Sequence, residues 1–96
     1  MELFQAEWCP YSHQVRERLT ELGLDFVARQ VPADPDDRDE MERETGTRSI
    51  PTLVTDEGDP IDGADDILAW LEQFSDREDA DAHRARSRAE VKLFTP

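Results

Sequence analysis

Met1-Glu2-Leu3-Phe4-Gln5-Ala6-Glu7-Trp8-Cys9-Pro10-Tyr11-Ser12 opens the chain and decides how the rest is read. Leu3 and Phe4 lie in a short run, Met1 to Gln5, that suits a buried strand of the parallel type. At Cys9 the pattern changes to that of a helix. Pro10 fits its first position, because the missing N–H costs nothing there and the fixed φ suits the turn. Cys9, the one cysteine in the chain, then sits where the first backbone N–H groups lack intrahelical partners and the peptide dipoles put partial positive charge. That setting favours thiolate over thiol and makes Cys9 a candidate catalytic nucleophile. The competing reading is a small buried hydrophobe.

From Pro10 to Leu22, Val15, Leu19 and Leu22 recur at helical spacing. Arg16, Glu17, Arg18 and Glu21 fill the other face, and Gly23 suits the left-handed position that ends a helix. Asp25 to Val31 is predicted as a second strand, with Phe26 and Val27 inward and Val31 closing it. Strand, helix and strand with short joins imply a right-handed βαβ unit and a parallel pair. Beyond Pro32-Ala33-Asp34-Pro35, a polar helix is predicted over Asp36 to Thr45, stopped by Gly46. Thr52 to Thr55 is a third strand. Glu57-Gly58-Asp59 is turn chemistry, so Pro60-Ile61 pairs back as the fourth strand of a hairpin. Asp65 or Asp66 opens a helix whose Ile67, Leu68, Leu71 and Phe74 face the core, with Trp70 flanking them.

Ninety-six residues suit one core. We expect a domain over residues 1–75 and a charged tail over residues 76–96, helical or partly disordered. In that tail Asp76, Glu78, Asp79 and Asp81 precede Arg84, Arg86 and Arg88, and only the Val91-Lys92-Leu93-Phe94 run offers apolar surface for docking. A single cysteine permits no internal disulfide, and a reducing, cytoplasmic setting is the expectation. No segment reads as a signal peptide or a bilayer span, so no membrane partner is expected.

Asp and Glu number 24 against 11 Lys and Arg, for a net charge of −13. That balance argues against nucleic acid as a partner. Lys92 is the single lysine, and low lysine with abundant Asp and Glu is similar to the composition of halophile proteins. Such a surface repels itself in dilute buffer but is screened at molar salt, where the Debye length is about 3 Å.

Four features distant in sequence converge in a βαβ–ββα fold: Cys9, Arg48, Ile50-Pro51 and Gly63-Ala64-Asp65-Asp66. Taken alone, each has a plainer reading. Pro51 is then a strand-edge proline, Arg48 a solvated side chain, and Gly63 to Asp66 a helix start with an acidic first turn. Together they resemble the glutaredoxin branch of the thioredoxin superfamily. Trp8-Cys9-Pro10-Tyr11-Ser12 is similar to its Cys-Pro-Tyr-Cys active site with the second cysteine replaced by Ser12. Thr45-Gly46-Thr47-Arg48-Ser49-Ile50-Pro51-Thr52 resembles its Thr-Gly-Gln-Arg-Thr-Val-Pro segment, and Asp62-Gly63-Ala64-Asp65-Asp66 its Gly-Gly-Cys/Ser-Asp-Asp segment. The likeness covers roughly residues 1 to 74.

The resemblance implies a thioredoxin-like α/β fold with a four-stranded mixed sheet flanked by helices, and a cis Ile50-Pro51 bond. It implies thiol–disulfide exchange on mixed disulfides, with glutathione or a related low-molecular-weight thiol as co-substrate and thiol-modified proteins or small disulfides as partners. Cys9 would be the catalytic residue and Pro10, Tyr11 and Ser12 the rest of the active-site motif. The thiol ligand would be bound by Arg48, by the backbone of Ile50 beside Pro51 in the manner of a strand partner, and by the free N–H groups of Ala64 and Asp65, which would receive a carboxylate. Ser12 cannot resolve a mixed disulfide, so a one-cysteine mechanism in a monomer is expected. The sequence also departs from the pattern at Ala6, where a lysine is common, at Thr47 and at Asp62. Two alternatives remain open: an iron–sulfur cluster carrier with one cysteine per subunit, or a thiol-binding module similar to the N-terminal domain of glutathione transferases. His13 reads as a helix-surface side chain, Tyr11 as a groove residue, and His83 has no companions at metal-ligand spacing, so no metal site is expected.

Overall fold

Alternation along the first strand, β1 (Glu2–Gln5), sends Leu3 to one face of a sheet and Phe4 to the other. The computed structural model describes residues 1–93, with side chains described through Arg86. β1 pairs in parallel with β2 (Val27–Gln30) and antiparallel with β3 (Thr52–Val54), which pairs antiparallel with β4 (Pro60–Asp62). The resulting order is β2-β1-β3-β4, a four-stranded mixed sheet of thioredoxin-like α/β type.

Helices cover both faces. α1 (Pro10–Glu21) and α3 (Ala64–Leu71) lie on the Leu3 side, where Leu3, Val15, Leu19, Leu53, Ile67 and Leu71 are fully buried. Burying each such side chain contributes roughly 1.5–3 kcal/mol, so this cluster dominates the fold's stability. On the other face Phe4, Val31 and Met41 pack with Ile50 and Val54 beneath α2 (Asp39–Thr45). Arg29 closes that edge, its guanidinium 4.6 Å from the centre of the Phe4 ring and paired with Glu2 and Glu44.

Four details differ from the sequence expectations. Val27 is not inward but exposed: adjacent residues of a strand face opposite ways, and half-buried Phe26 already occupies the core side. The helix expected over Asp36 to Thr45 is divided into a 3-10 turn, Pro35–Asp37, and α2, because Arg38 leaves helical geometry at φ −94° and ψ 39°. Its buried side chain donates to the carbonyls of Pro32 (2.9 Å), Ala33 (3.2 Å) and Arg48 (2.9 Å). Leu68 is only half-buried, since Ile67 and Leu71 take the inner stripe of α3 and Trp70 and Phe74 pack edge-on beside them.

Glu21, read from its spacing as solvated, is buried. The cover is α4 (Ala80–Leu93), which packs along α1. Arg84 reaches the Glu21 carboxylate at 2.6 Å and Arg18 reaches it at 3.2 Å. Both arginines also hold Asp76, and the Arg77 N–H donates to the Glu21 carbonyl at 2.8 Å. Docking by the Val91 to Phe94 side chains lies outside the described residues.

Candidate active site

Cys9 is the N-cap of α1, in extended geometry at φ −82° and ψ 119°, with Pro10 opening the helix behind it. Its N–H donates to the Ala6 carbonyl at 3.1 Å and its carbonyl accepts from His13 N–H at 3.0 Å, so the residue is fixed at both ends. The side chain is largely buried. Burial pushes the thiol pKa up. Hydrogen bonds to the sulfur from the Ser12 hydroxyl and from the N–H groups of Ser12 and Tyr11, with the Arg16 charge, outweigh that penalty and hold it below the ordinary thiol value. Ser12 is fully buried and its Oγ accepts from the Ala6 N–H at 3.3 Å. The turn that carries Cys9 and the hydroxyl that faces it are therefore one unit.

Beneath this turn lies a polar cluster. Arg16 donates to the Gln5 carboxamide and approaches Glu7 at 3.7 Å, while Gln30 accepts from the Glu7 N–H at 3.0 Å. Gln5 is buried and donates to Glu7 and Gln30 at 3.0 and 3.3 Å. Sequence patterning pointed to Arg16 only as a helix-surface residue.

An open cleft of about 480 Å³ starts at Tyr11, two residues beyond the cysteine, and is lined by Ile50, Pro51, Asp62, Gly63, Ala64, Asp65 and Asp66. The Ile50–Pro51 bond is cis. The Pro51 carbonyl accepts from Gly63 N–H at 2.9 Å, which joins the two walls. Gly63 is the N-cap of α3 at φ +93°, a conformation that favours glycine, and no side chain caps the helix. The next N–H groups, those of Ala64 and Asp65, belong to the first turn and have no intrahelical acceptor.

Of the residues singled out in the sequence, Tyr11, Ile50, Pro51, Ala64 and Asp65 meet in this cleft, with Cys9, Pro10 and Ser12 at the turn beside it. Arg48 does not join them. Its guanidinium pairs with Asp39 and Glu42 and donates to the Pro35 and Asp36 carbonyls at 3.0 and 3.1 Å, tying the 3-10 turn to α2. Asp62 and Asp66 line the cleft although neither was among the candidate ligand-binding residues, and their place on either side of Gly63 is the signal that marks them. Tyr11 and Trp8 are both largely exposed next to the cysteine. Among the described residues, no group of three or more His, Cys, Asp and Glu side chains is arranged to hold a metal ion, and no helix is long and apolar enough to cross a membrane.

A family model described as Glutaredoxin matches residues 1–58. Glutaredoxin 3 of Escherichia coli strain K12 is 29% identical over 69 residues, which is 72% of this chain and 82% of that protein. A glutaredoxin of Pseudomonas aeruginosa is 28% identical over 67 residues, covering 70% of this chain and 79% of its own length. Among solved structures, a glutathione S-transferase domain-containing protein of Marinobacter aquaeolei VT8 superposes with a TM-score of 0.65 at 22% identity, over 78% of this chain and 39% of that one. Glutathione S-transferase 1-6 of Anopheles dirus species B superposes with a TM-score of 0.68, also at 22% identity, over 82% of this chain and 38% of that one. The chain thus spans about two fifths of these structures, and the likeness is one of fold.

Proposed function

The chain belongs to the glutaredoxin family, and from that premise we propose that it is a thiol–disulfide oxidoreductase that works through Cys9 alone. The Cys9 thiolate attacks one sulfur of a mixed disulfide. The other thiol leaves as a thiolate and takes a proton from water, and a second small thiol then releases Cys9 by the same exchange. The observation that carries this reading is the Cys9 sulfur at the N-terminus of α1, facing the Ser12 hydroxyl and two backbone N–H groups. Ser12, in the place of a second cysteine, leaves no protein thiol within the turn to compete.

The cleft supports a role for the Ile50 backbone, Pro51 and the first N–H groups of α3 in holding glutathione or a related thiol. We place the reaction in a reducing, salt-rich cytoplasm and in a monomer of this chain, with residues 1–75 as the working domain. The test is exchange of a glutathione mixed disulfide by the wild type and by Cys9→Ser. Turnover that disappears in the variant supports the reading, and equal turnover overturns it.

The likeness to glutathione transferase structures favours one second reading, a module that binds a thiol without turning it over. Saturable glutathione binding with no exchange in wild type would establish it.

A further inference from the structure

Arg16 follows Cys9 along the same face of α1, two helical turns further on. Helical side chains lean toward the N-terminus, and its guanidinium runs back beneath the cysteine turn to within 3.5 Å of the Ala6 carbonyl. The Cys9 N–H donates to that same oxygen at 3.1 Å. One atom therefore joins the cysteine backbone to a positive charge. Gln5 aims that charge. Strand alternation sends Gln5 to the Leu3 face of β1, under α1, where a polar side chain carries a desolvation penalty unless it is hydrogen-bonded. Gln5 is 1% exposed, and both ends of its carboxamide are used. The oxygen accepts from Arg16, and the nitrogen donates to Glu7 at 3.0 Å and, across the parallel pair, to Gln30 at 3.3 Å. Gln30 also accepts from the Glu7 N–H at 3.0 Å, so the loop that leads to Cys9 and the guanidinium share one frame.

The other charged groups around the turn lie nearer to water. Glu7 approaches Arg16 at 3.7 Å, but its side chain is 69% exposed against 18% for Arg16. His13 is exposed beside Glu17, His83 of α4 shares a groove with His13 and Arg16, and Asp62, Asp65 and Asp66 are exposed across the cleft. Salt and solvent screen these groups more than the part-buried guanidinium. Resting on the exchange reading above, we infer that Gln5 and Arg16 are positioning residues for the reaction: the buried carboxamide fixes the guanidinium beneath Cys9, and the fixed charge makes the cysteine a better nucleophile near neutral pH. The Arg16 charge does act in that direction on the Cys9 thiol. Gln5 carries no charge and does not line the cleft, so its influence on the cysteine passes through Arg16.

The test follows Cys9 thiolate absorbance and the rate of alkylation by iodoacetamide against pH. A unit charge about 6 Å away moves a titration by about half a pH unit even in water, which is about threefold in proton affinity. Arg16→Gln should raise the midpoint by at least about that much, and Arg16→Lys should fall between it and wild type. Alkylation of Arg16→Gln should be about twofold slower below the midpoint and faster than wild type well above it, because a more basic thiolate is the stronger nucleophile. Mere structural damage produces no such crossover. Gln5→Met should shift the midpoint the same way by less, and the double variant should match Arg16→Gln alone. Arg43→Gln, which removes an exposed charge on α2, should leave the midpoint in place. An unmoved midpoint in Arg16→Gln, with exchange through Cys9 intact, overturns the inference and leaves the exchange reading standing. So does an equal shift in Arg43→Gln, because net charge is then the cause, and so does a double-variant shift equal to the sum of the two single shifts, because Gln5 then acts without Arg16. If Gln5→Met fails to fold, Gln5→Asn, which draws the same carboxamide back from Arg16, takes its place. If Cys9→Ser exchanges a glutathione mixed disulfide as fast as wild type, the exchange reading falls, while the midpoints still report the hold of Arg16 on the thiol.

Discussion

Ser12 Oγ accepts a 3.3 Å hydrogen bond from the Ala6 N–H, and this leaves the hydroxyl proton free for the Cys9 sulfur. One side chain thus closes the turn with its lone pair and stabilises the thiolate with its proton. Ser12→Ala should raise the Cys9 pKa and also lower stability by roughly 1–3 kcal/mol, because the buried Ala6 N–H loses its acceptor. Thiolate absorbance against pH reads the first effect and thermal unfolding the second. The sign for the wild type follows from the lowered pKa. The folded state releases the Cys9 proton before the unfolded state does, so the stabilisation is full above the unfolded thiol value, about 8.5, and is lost as pH falls through the folded one. Cys9→Ser should remove that alkaline component of the stability profile.

Ser12→Cys places a second thiol one helical turn from Cys9. It should permit an internal disulfide, divert the mixed-disulfide intermediate and slow net turnover of small mixed disulfides, while adding reduction of protein disulfides that the wild type performs poorly. Both activities, measured in parallel with Cys9→Ser as blank, check this. Efficient catalytic reduction of protein disulfides by the wild type alone would contradict the one-cysteine mechanism.

Glu21 carries the prediction in which charge counting and structure disagree. In a chain of net charge −13, removing a solvated carboxylate should be neutral or stabilising. Glu21, however, is buried between Arg18 and Arg84. Glu21→Ala should therefore destabilise by roughly 2 kcal/mol and loosen α4 from α1. Denaturant unfolding gives the first quantity, and hydrogen exchange along α4 gives the second.

The contrast between Leu19 and Glu21 shows what was legible in the sequence. Leu19 belongs to a periodic apolar stripe, and periodicity alone puts it in the core. The same holds for Ile67 and Leu71, and hence for the two helices on the Leu3 face of the sheet, whereas Leu3 was read from a short apolar run. Glu21 is buried by a helix that begins 59 residues later, and no local pattern announces a cover that distant. Arg38 was hidden for a related reason: three carbonyl partners, one of them ten residues away, hold it, and carbonyls have no sequence signature. In the candidate site, Cys9, Pro51 and Gly63 each have a plainer use when taken alone, and it was their order along the chain that pointed to one place. The turning away of Arg48 was not readable, since it depends on where Asp39 and Glu42 fall after the break at Arg38.

Salt should raise the thermal midpoint. Most of the acidic groups lie on the surface of the described residues, where their repulsion is screened over about 10 Å at 0.1 M salt and about 3 Å at 1 M. The surface ion pairs that join Arg18, Asp76 and Arg84 are screened as well, but exposed pairs contribute little each. Melting in dilute buffer and in molar potassium chloride reads the balance. An unchanged or lower midpoint at high salt would remove the support for a salt-rich setting.

Arg38 links stability to the cleft. Its guanidinium donates to the Arg48 carbonyl at 2.9 Å, two residues before Ile50, and to the Pro32 and Ala33 carbonyls on the other side of the same loop. A lysine offers a point charge rather than a fork and cannot meet three carbonyls with that geometry. Arg38→Lys should therefore lower stability by roughly 1–3 kcal/mol and raise KM for a mixed disulfide, because the segment leading into Ile50 and Pro51 loses an anchor. The thiolate midpoint of Cys9 should stay put, since the α1 turn does not contact this loop through any of the bonds that set it. A variant with wild-type KM would show that the cleft wall holds its shape without the Arg38 fork.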